Sequence, residues 1–321
     1  MAPSRRTPPV LLCASLLLLL LLASAHAQDS SVNDADKARM LVKQVKGSLP
    51  NIAKFGYGGC CTPSAANTKG LVSGLLPAGA GGALPATASF PPTDPATGRP
   101  LTGLLKLGLA TGSGRDGYVF IPPTYSPDVP TPLLVTLHGA NKTAFNGMAT
   151  MIDEATAAGV ILVAPSSREA STWDMFGGGG YGADVAYINA SIAQVADVYN
   201  VDRARLGVEG FSDGATYALS LGLANGKVFT HVLAFSPGGL APPSLAGNPA
   251  LFISQGTKDA LFPKSQAGDA VVCQLVANQY DVTYVPFPGG HEVPPKVAQA
   301  AMNWFLGDTV TTSVPAGTCG A

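Results

Sequence analysis

The chain has 321 residues, of which 46% are hydrophobic and 12% are charged, and its formal net charge is −1. This length and apolar content suffice for one large domain with a substantial buried core. The near-neutral charge argues against nucleic acid or an anionic membrane surface as a partner. The 38 glycines and 27 prolines indicate many turns, and they show no tandem or collagen-like period.

Residues 1–27 have the features of a secretory signal peptide. Arg5 and Arg6 form a basic start, a leucine-rich apolar run follows, and Ala25–Ala27 is a small-x-small cleavage site. We therefore expect a secreted protein, or a periplasmic one if the source is bacterial, whose mature chain begins at Gln28. The apolar run is shorter than the roughly 20 residues of a membrane span. An uncleaved signal anchor is the alternative, and no stable span is expected after cleavage.

Four cysteines lie beyond the predicted signal peptide: Cys60, Cys61, Cys273 and Cys319. An even number in an exported chain indicates two disulfides. A bridge between the adjacent residues Cys60 and Cys61 would be strained, and either remaining pairing ties the N-terminal segment to the C-terminal part of the fold. Free, buried cysteines are the alternative. No CxxC motif or histidine cluster accompanies them, so no metal site is predicted.

The remaining chain divides into three parts. Residues 28–103 begin with a predicted helix at 31–48 and continue as a Gly-, Ala- and Pro-rich segment that is expected to be irregular. Residues 104–309 form the predicted main folded domain, and residues 310–321 form a tail. One interpretation of residues 28–103 is a pro-segment or lid that keeps the protein inactive until it is cleaved.

Strand and helix patterns alternate along residues 104–309. Apolar runs predict strands at 104–110, 117–121, 133–137, 160–164, 205–211, 231–235, 251–255 and 282–287. Between and after the later strands, the patterns predict helices at 184–199, 213–224, 266–279 and 296–306. This alternation favours a mostly parallel sheet with helices on both faces. Chemistry in such a sheet lies at the C-terminal ends of the strands.

A candidate nucleophile lies between a predicted strand and a predicted helix. Residues 210–214 match the pattern G-x-S-x-G with Ser212 at its centre. In the α/β-hydrolase fold this pattern is a nucleophile elbow, a strained turn in which larger flanking residues would clash. The alternative is a plain turn in which Ser212 only caps the helix.

The candidate base follows from the positions of three histidines. His138 ends the third strand upstream of the serine, and His231 opens a strand at the opposite edge of the sheet. His291 follows the last strand after two glycines, which allow its loop to fold back over Ser212. We therefore predict His291 as the base, with a surface loop histidine as the alternative.

The acid that orients His291 is expected between Ser212 and His291 in the chain. Asp259 follows the strand 251–255 at the correct edge of the sheet, whereas Asp269 falls inside a predicted helix and Asp281 precedes a strand. We predict Asp259 as the acid of the triad. A residue that merely caps a turn is the alternative.

The negative charge that develops on an attacked carbonyl needs N–H donors. We expect the backbone N–H groups of Asp213 and Ala140 to form this oxyanion hole, and we assign the Asp213 carboxyl a structural role at the helix N-terminus. Trp173 either lines the substrate pocket or packs under a loop. Asn141 and Asn189 begin N-glycosylation sequons, which matter only in a eukaryotic source.

The chain resembles the phospholipase/carboxylesterase group of α/β-hydrolases, which includes acyl-protein thioesterases. The resemblance covers about residues 104–306 and rests on four blocks, Gly210–Ala215, Ala234–Gly238, Gly256–Asp259 and Gly289–Pro294. It implies the α/β-hydrolase fold, a triad of Ser212, Asp259 and His291, and hydrolysis of carboxylic esters or thioesters without a cofactor. The segment His138–Ala140 departs from the glycine-rich or charged sequence of many relatives, and residues 28–103 have no counterpart.

Two further interpretations stay open. The chain is also somewhat similar to secreted polyhydroxybutyrate-depolymerase-like and feruloyl esterases, which keep the triad and act on polymer or cell-wall esters. A non-catalytic, ligand-binding protein with the hydrolase fold is the second. The expected partner is in each case a small or polymeric ester or ligand, and the oligomeric state is not predicted.

Overall fold

The computed structural model describes residues 93–94, 98, 100–109, 115–176, 181–312 and 314. The predicted signal peptide, the helix at 31–48 and most of segment 28–103 lie outside the described residues. Cys60, Cys61 and Cys319 also lie outside them. Cys273 is disulfide-bonded, and its pairing stays a prediction.

The centre of the fold is one eight-stranded sheet. Its strands are β1 (Gly103–Lys106), β2 (Tyr118–Ile121), β3 (Thr131–Leu137), β4 (Ile161–Ala164), β5 (Val201–Phe211), β6 (His231–Phe235), β7 (Ala250–Gly256) and β8 (Val282–Phe287). The spatial order is β1-β2-β4-β3-β5-β6-β7-β8. The pairings of β2 with β1 and with β4 are antiparallel, and the other pairings are parallel. The predicted α/β fold with a mostly parallel sheet is confirmed.

Six α-helices and one 3₁₀ turn are found in the described part of the chain. The helices are α1 (Ala144–Met148), α2 (Ile152–Ala158), α3 (Ala183–Val198), α4 (Asp213–Ala224), α5 (Gly268–Ala277) and α6 (Pro295–Phe305), and the turn is Asp174–Phe176. The predictions omitted α1 and α2. With five and seven residues, these helices are too short to display a clear 3.6-residue period.

The helices cover both faces of the sheet. One buried cluster joins inward-facing residues of α3, α4 and α5 to alternate strand residues such as Val135 and Val208. The second joins α1, α2 and α6 to the other strand face, with Leu134 and Phe252 among its members. Strands buried on both faces explain the nearly continuous apolar runs in the sequence. No helix in the described ranges has both the length and the apolar character to traverse a bilayer.

The parallel part of the sheet determines where the candidate site forms. β3, β5, β6, β7 and β8 all run in one direction, so their C-terminal ends lie at a common edge. The segments that follow these strands contain the residues predicted as nucleophile, acid, base and oxyanion donors. The sheet therefore brings together residues that are far apart in the sequence.

Candidate active site

Ser212 occupies a strained turn between β5 and α4. Its φ of 58° and ψ of −120° are rare for a residue with a side chain. A Cβ at Gly210 would lie 2.2 Å from the carbonyl oxygen of Gly214, and a Cβ at Gly214 would lie 2.2 Å from that of Leu137. Only glycine fits at these two positions, which accounts for both glycines of the motif.

Asp259 and His291 form a hydrogen-bonded pair at the ends of β7 and β8. Nδ1 of His291 lies 2.8 Å from Oδ2 of Asp259. The other Asp259 oxygen accepts the backbone N–H groups of Leu261 and Phe262, at 2.9 and 2.8 Å. Because this carboxylate accepts every bond it makes, Nδ1 is the donor and Nε2 of the neutral imidazole is the basic nitrogen.

The imidazole of His291 is packed beside the nucleophile turn. Its ring centroid lies 4.8 Å from that of Phe211, the residue before Ser212, and 5.3 Å from that of Phe262. Nε2 is buried and has no hydrogen-bond partner among the described residues. The bond from the Ser212 hydroxyl to Nε2 is thus not formed in this structure. Such bonds are often loose without substrate and shorten in the reactive complex.

The loop after β3 lies against the nucleophile. A Cβ at Gly139 would be 3.4 Å from Cβ of Ser212. Asp213 opens α4, so its N–H has no acceptor within the helix. Within the described chain, no hydrogen-bond acceptor is found for the N–H of Ala140 either. The two N–H groups predicted for an oxyanion hole are therefore both available at this edge of the sheet.

His138 is held as a neutral, fully bonded side chain. Its Nε2 accepts the N–H of Ser167 at 3.0 Å, so the proton is on Nδ1, which donates to the carbonyl of Gly139 at 2.8 Å. Burial lowers the pKa of His138 to about 4. This histidine supports the loop after β3 and has no nitrogen left to act as a base.

Trp173 is buried beneath the same loop, with 1% of its surface exposed. Its indole N–H donates to the carbonyl of His138 at 2.8 Å. Its ring lies between those of His138 and Tyr217, at centroid distances of 4.7 and 5.1 Å. Trp173 thus packs beneath the loop, and a role in lining the substrate pocket stays a prediction.

The competing candidates lie elsewhere. Asp269 in α5 is paired with Lys264 and accepts the hydroxyl of Tyr284. His231 opens β6 at the opposite edge, and burial lowers its pKa to about 4. Asp281 directly precedes β8 at that same far edge.

Two buried polar residues of the site were not predicted. Gln255 in β7 donates from Nε2 to Oδ2 of Asp259 and to the carbonyl of Phe262, at 2.8 and 2.9 Å. Thr172 donates its hydroxyl to the carboxyl of Asp213. A polar residue at a core position near a strand end was the available signal for Gln255. Thr172 has no local signal, because its partner is 41 residues away.

A different acid, Glu209 in β5, is completely buried. Its Oε1 lies 2.6 Å from the hydroxyl of Thr150, while Oε2 has no hydrogen-bond partner in the described part of the chain. Burial raises the pKa of Glu209 to about 8. No three His, Cys, Asp or Glu side chains of the described residues are grouped as in a metal site.

Residues 109–282 match the model of a protein family described as "Putative esterase". The matched region is just over half of the 321-residue chain. It contains the nucleophile turn and Asp259, and it ends before His291.

One curated relative and two solved structures are similar to this chain. A bifunctional acetylxylan esterase/xylanase, XynS20E of Neocallimastix patriciarum, is 30% identical over 129 residues, or 39% of this chain and 18% of the relative. FphF, a fluorophosphonate-binding serine hydrolase of Staphylococcus aureus, aligns with 64% of this chain and 99% of its own at a TM-score of 0.50 and 17% identity. The S-formylglutathione hydrolase FrmB of the same organism gives the same TM-score and identity, with coverages of 64% and 100%. At this identity the two structures show the shared fold.

Proposed function

Because the chain belongs to the esterase family that its sequence matches, we propose that it hydrolyses carboxylic esters through a triad of Ser212, His291 and Asp259. Family membership confirms the predicted class of enzyme, a carboxylic ester hydrolase, and the broader prediction of an α/β-hydrolase esterase. The observation that carries the triad is the Asp259–His291 hydrogen bond beside the strained turn of Ser212. The finer resemblance to acyl-protein thioesterases, and with it thioester cleavage, stays a hypothesis.

In the first step of the proposed mechanism, the hydroxyl oxygen of Ser212 attacks the ester carbonyl. Nε2 of His291 takes the hydroxyl proton, and Asp259 stabilises the imidazolium through the bond at Nδ1. The carbonyl oxygen becomes an oxyanion and accepts the N–H groups of Asp213 and Ala140. His291 then protonates the leaving alcohol, and the acyl group stays on Ser212.

In the second step, water replaces the alcohol. Nε2 of His291 takes a proton from the water, whose oxygen attacks the acyl carbonyl. The same two N–H groups stabilise the second oxyanion, and the collapse of this intermediate releases the carboxylic acid. The proton on His291 returns to Ser212, so no cofactor is consumed.

For the substrate, we propose a short-chain ester, with acetyl groups on a polysaccharide as the leading candidate. The support is the 30% identity to a protein whose name includes an acetylxylan esterase. Feruloyl esters, hydroxybutyrate oligomers and acyl thioesters are the competing substrates. Purified mature protein assayed against acetylated xylan and against one member of each competing class ranks these candidates by kcat/KM.

The sharpest test of the mechanism is Ser212→Ala. We expect it to abolish hydrolysis of p-nitrophenyl acetate and labelling by a fluorophosphonate probe, because both need the serine oxygen. Intact mass of the labelled wild-type protein and peptide mapping would locate the adduct. Retained activity in the variant would place the nucleophile elsewhere, and a folded wild-type protein that neither labels nor hydrolyses any ester would favour the ligand-binding alternative.

We also propose that the enzyme acts after export, since residues 1–27 have the pattern of a signal peptide. Expression of the full chain in a secreting host should release protein into the medium or periplasm. N-terminal sequencing of that protein should begin at Gln28. A retained N-terminus in the membrane fraction would instead support a signal anchor.

A further inference from the structure

Four consecutive residues, Ser171 to Asp174, contact both elements that supply the candidate oxyanion donors. We call Ser171–Asp174 the clamp. Each of its residues makes one hydrogen bond to the loop after β3 or to α4, through a backbone or a side-chain atom. No other role is assigned to this segment by the proposed mechanism.

Two clamp residues hold the loop on either side of Ala140. The carbonyl of Ser171 accepts the N–H of Asn141 at 2.7 Å. The indole N–H of Trp173 donates to the carbonyl of His138 at 2.8 Å. Because the backbone is fixed on both sides of Ala140, the direction of the Ala140 N–H is fixed too.

The other two clamp residues hold helix α4 just after the nucleophile. Thr172 donates its hydroxyl to the carboxyl of Asp213, and both residues are 3% exposed. Asp174 accepts the hydroxyl of Tyr217 at 2.8 Å, one turn further along the helix. These bonds fix the position and tilt of the first turn of α4, which carries the Asp213 N–H.

The clamp is itself held by a reciprocal pair of aspartates. Oδ2 of Asp174 accepts the backbone N–H groups of Gly182 and Asp184, at 2.8 and 2.9 Å. Asp184 in turn accepts the N–H of Asp174 at 2.7 Å and that of Arg168 at 2.5 Å. Asp174, and Arg168 three residues before the clamp, are thereby both tied to the start of α3.

From these contacts we infer that the clamp is the positioning element of the oxyanion hole. The inference rests on the proposed function. The two donors come from different elements, the loop after β3 and helix α4, and the clamp bonds to both elements through buried groups. Oxyanion stabilisation requires donors that are already aligned when charge develops. A misplacement of about 1 Å can cost on the order of 10²-fold in rate.

The test removes one clamp bond at a time without a large change in side-chain volume. Thr172→Val deletes the hydroxyl that holds Asp213, and Tyr217→Phe deletes the one that holds Asp174. Tyr284→Phe is the matched control, because it also removes a 2.8 Å hydroxyl–aspartate bond from a fully buried tyrosine, outside the site. Thr172→Ser restores the hydroxyl and serves as the rescue variant.

We expect Thr172→Val and Tyr217→Phe to lower kcat for p-nitrophenyl acetate by about 10- to 100-fold with little change in KM. Their affinity for a phenylboronic acid, which forms a tetrahedral adduct on the serine, should fall by a similar factor. Thr172→Ser and Tyr284→Phe should keep kcat and boronate affinity near wild type. Melting temperatures identify any variant whose loss of activity comes from unfolding.

The outcomes separate this inference from the proposed function. If Ser212→Ala is inactive but the clamp variants keep wild-type kcat and boronate affinity, the clamp is not a positioning element and the mechanism stands. A rise in KM at unchanged kcat in the clamp variants would also overturn the inference. If Ser212→Ala stays active, the mechanism itself fails.

Discussion

The candidate site has two sides that are built in different ways. We call Asp259 and His291 the acid–histidine side, and Asp213 with the loop at Ala140 the oxyanion side. On the acid–histidine side, Asp259 and His291 each follow a strand closely, and the bonds that fix Asp259 come from neighbours within four residues and from His291. On the oxyanion side, the bonds that fix Asp213 and the loop at Ala140 join residues 30 to 43 positions apart. Apart from the Asp259–His291 bond itself, which joins residues 32 positions apart, the first side is organised by local turns and the second by tertiary contacts.

The buried acids of the two sides also differ. Asp259 accepts hydrogen bonds from the side chain of Gln255 and from the backbone N–H groups of Leu261 and Phe262. Asp213 accepts a hydroxyl of Thr172, and burial raises the pKa of its carboxyl. Burial likewise raises the pKa of Glu209, to about 8. Asp259 thus accepts several N–H groups, whereas burial disfavours the charged form of Asp213, the acid beside the proposed oxyanion donors.

The largest fall in kcat is expected from a substitution of Asp259, the acid of the acid–histidine side. Asp259→Asn preserves the shape of the side chain but presents an amide N–H₂ or carbonyl to Nδ1 and removes the charge that stabilises the imidazolium. We predict a fall in kcat of about 10⁴ with p-nitrophenyl acetate. A fall below tenfold would mean that another group orients His291.

A smaller fall in kcat is expected from a substitution of Gln255, which donates a hydrogen bond to Oδ2 of Asp259. Gln255→Leu removes the donor to Oδ2 of Asp259 and keeps a similar volume in the core. We predict that kcat falls by about tenfold, since the two backbone N–H groups and His291 still hold the carboxylate. Gln194→Leu is the matched control, because Gln194 is also buried and donates from Nε2, but to the carbonyl of Leu107. Equal kcat values in the two variants would show that Gln255 does not support catalysis through Asp259.

This difference between the two sides explains what could be predicted from the sequence. Ser212 and Asp259 lie in short motifs that follow a strand, and the candidates for the base were few, so local pattern and chain order sufficed to propose these residues. Gln255 was read only as a strand residue, because an apolar run does not reveal which buried side chain donates a hydrogen bond. Thr172 and Tyr217 depend on how α4 packs against a segment about 40 residues earlier. No local pattern encodes that contact.

The smallest effect on activity, and a clear effect on stability, is expected from Glu209. The Thr150 hydroxyl lies 2.6 Å from both the carbonyl of Gly147 and Oε1 of Glu209. A hydroxyl carries one proton, so the Thr150 hydroxyl either shares it between the two oxygens or donates it to Gly147 and accepts a proton from a protonated Glu209. Burial raises the pKa of this carboxyl to about 8, although the hydrogen bond with Thr150 acts in the opposite direction.

The sign of the resulting pH dependence follows from linkage. The folded protein holds the Glu209 proton up to about pH 8, whereas the unfolded chain releases it near the ordinary value of 4.5. Between these two pH values the unfolded state therefore binds fewer protons than the folded state. As pH rises through this range, the contribution of Glu209 lowers the free energy of unfolding, by at most about 1.4 kcal/mol per pH unit. Below pH 4.5 Glu209 is protonated in both states and causes no pH dependence of stability. Above pH 8 it is ionised in both states, and the loss of stability that it causes is complete.

Glu209→Gln replaces the neutral acid with a neutral amide that cannot lose a proton. We predict that its melting temperature exceeds that of the wild type progressively from pH 5 to pH 8, while kcat at pH 7 stays within about twofold. The exposed residue Glu169 supplies the control, and Glu169→Gln should follow the wild-type pH profile. Parallel profiles for wild type and Glu209→Gln would show that Glu209 does not hold its proton in the folded protein.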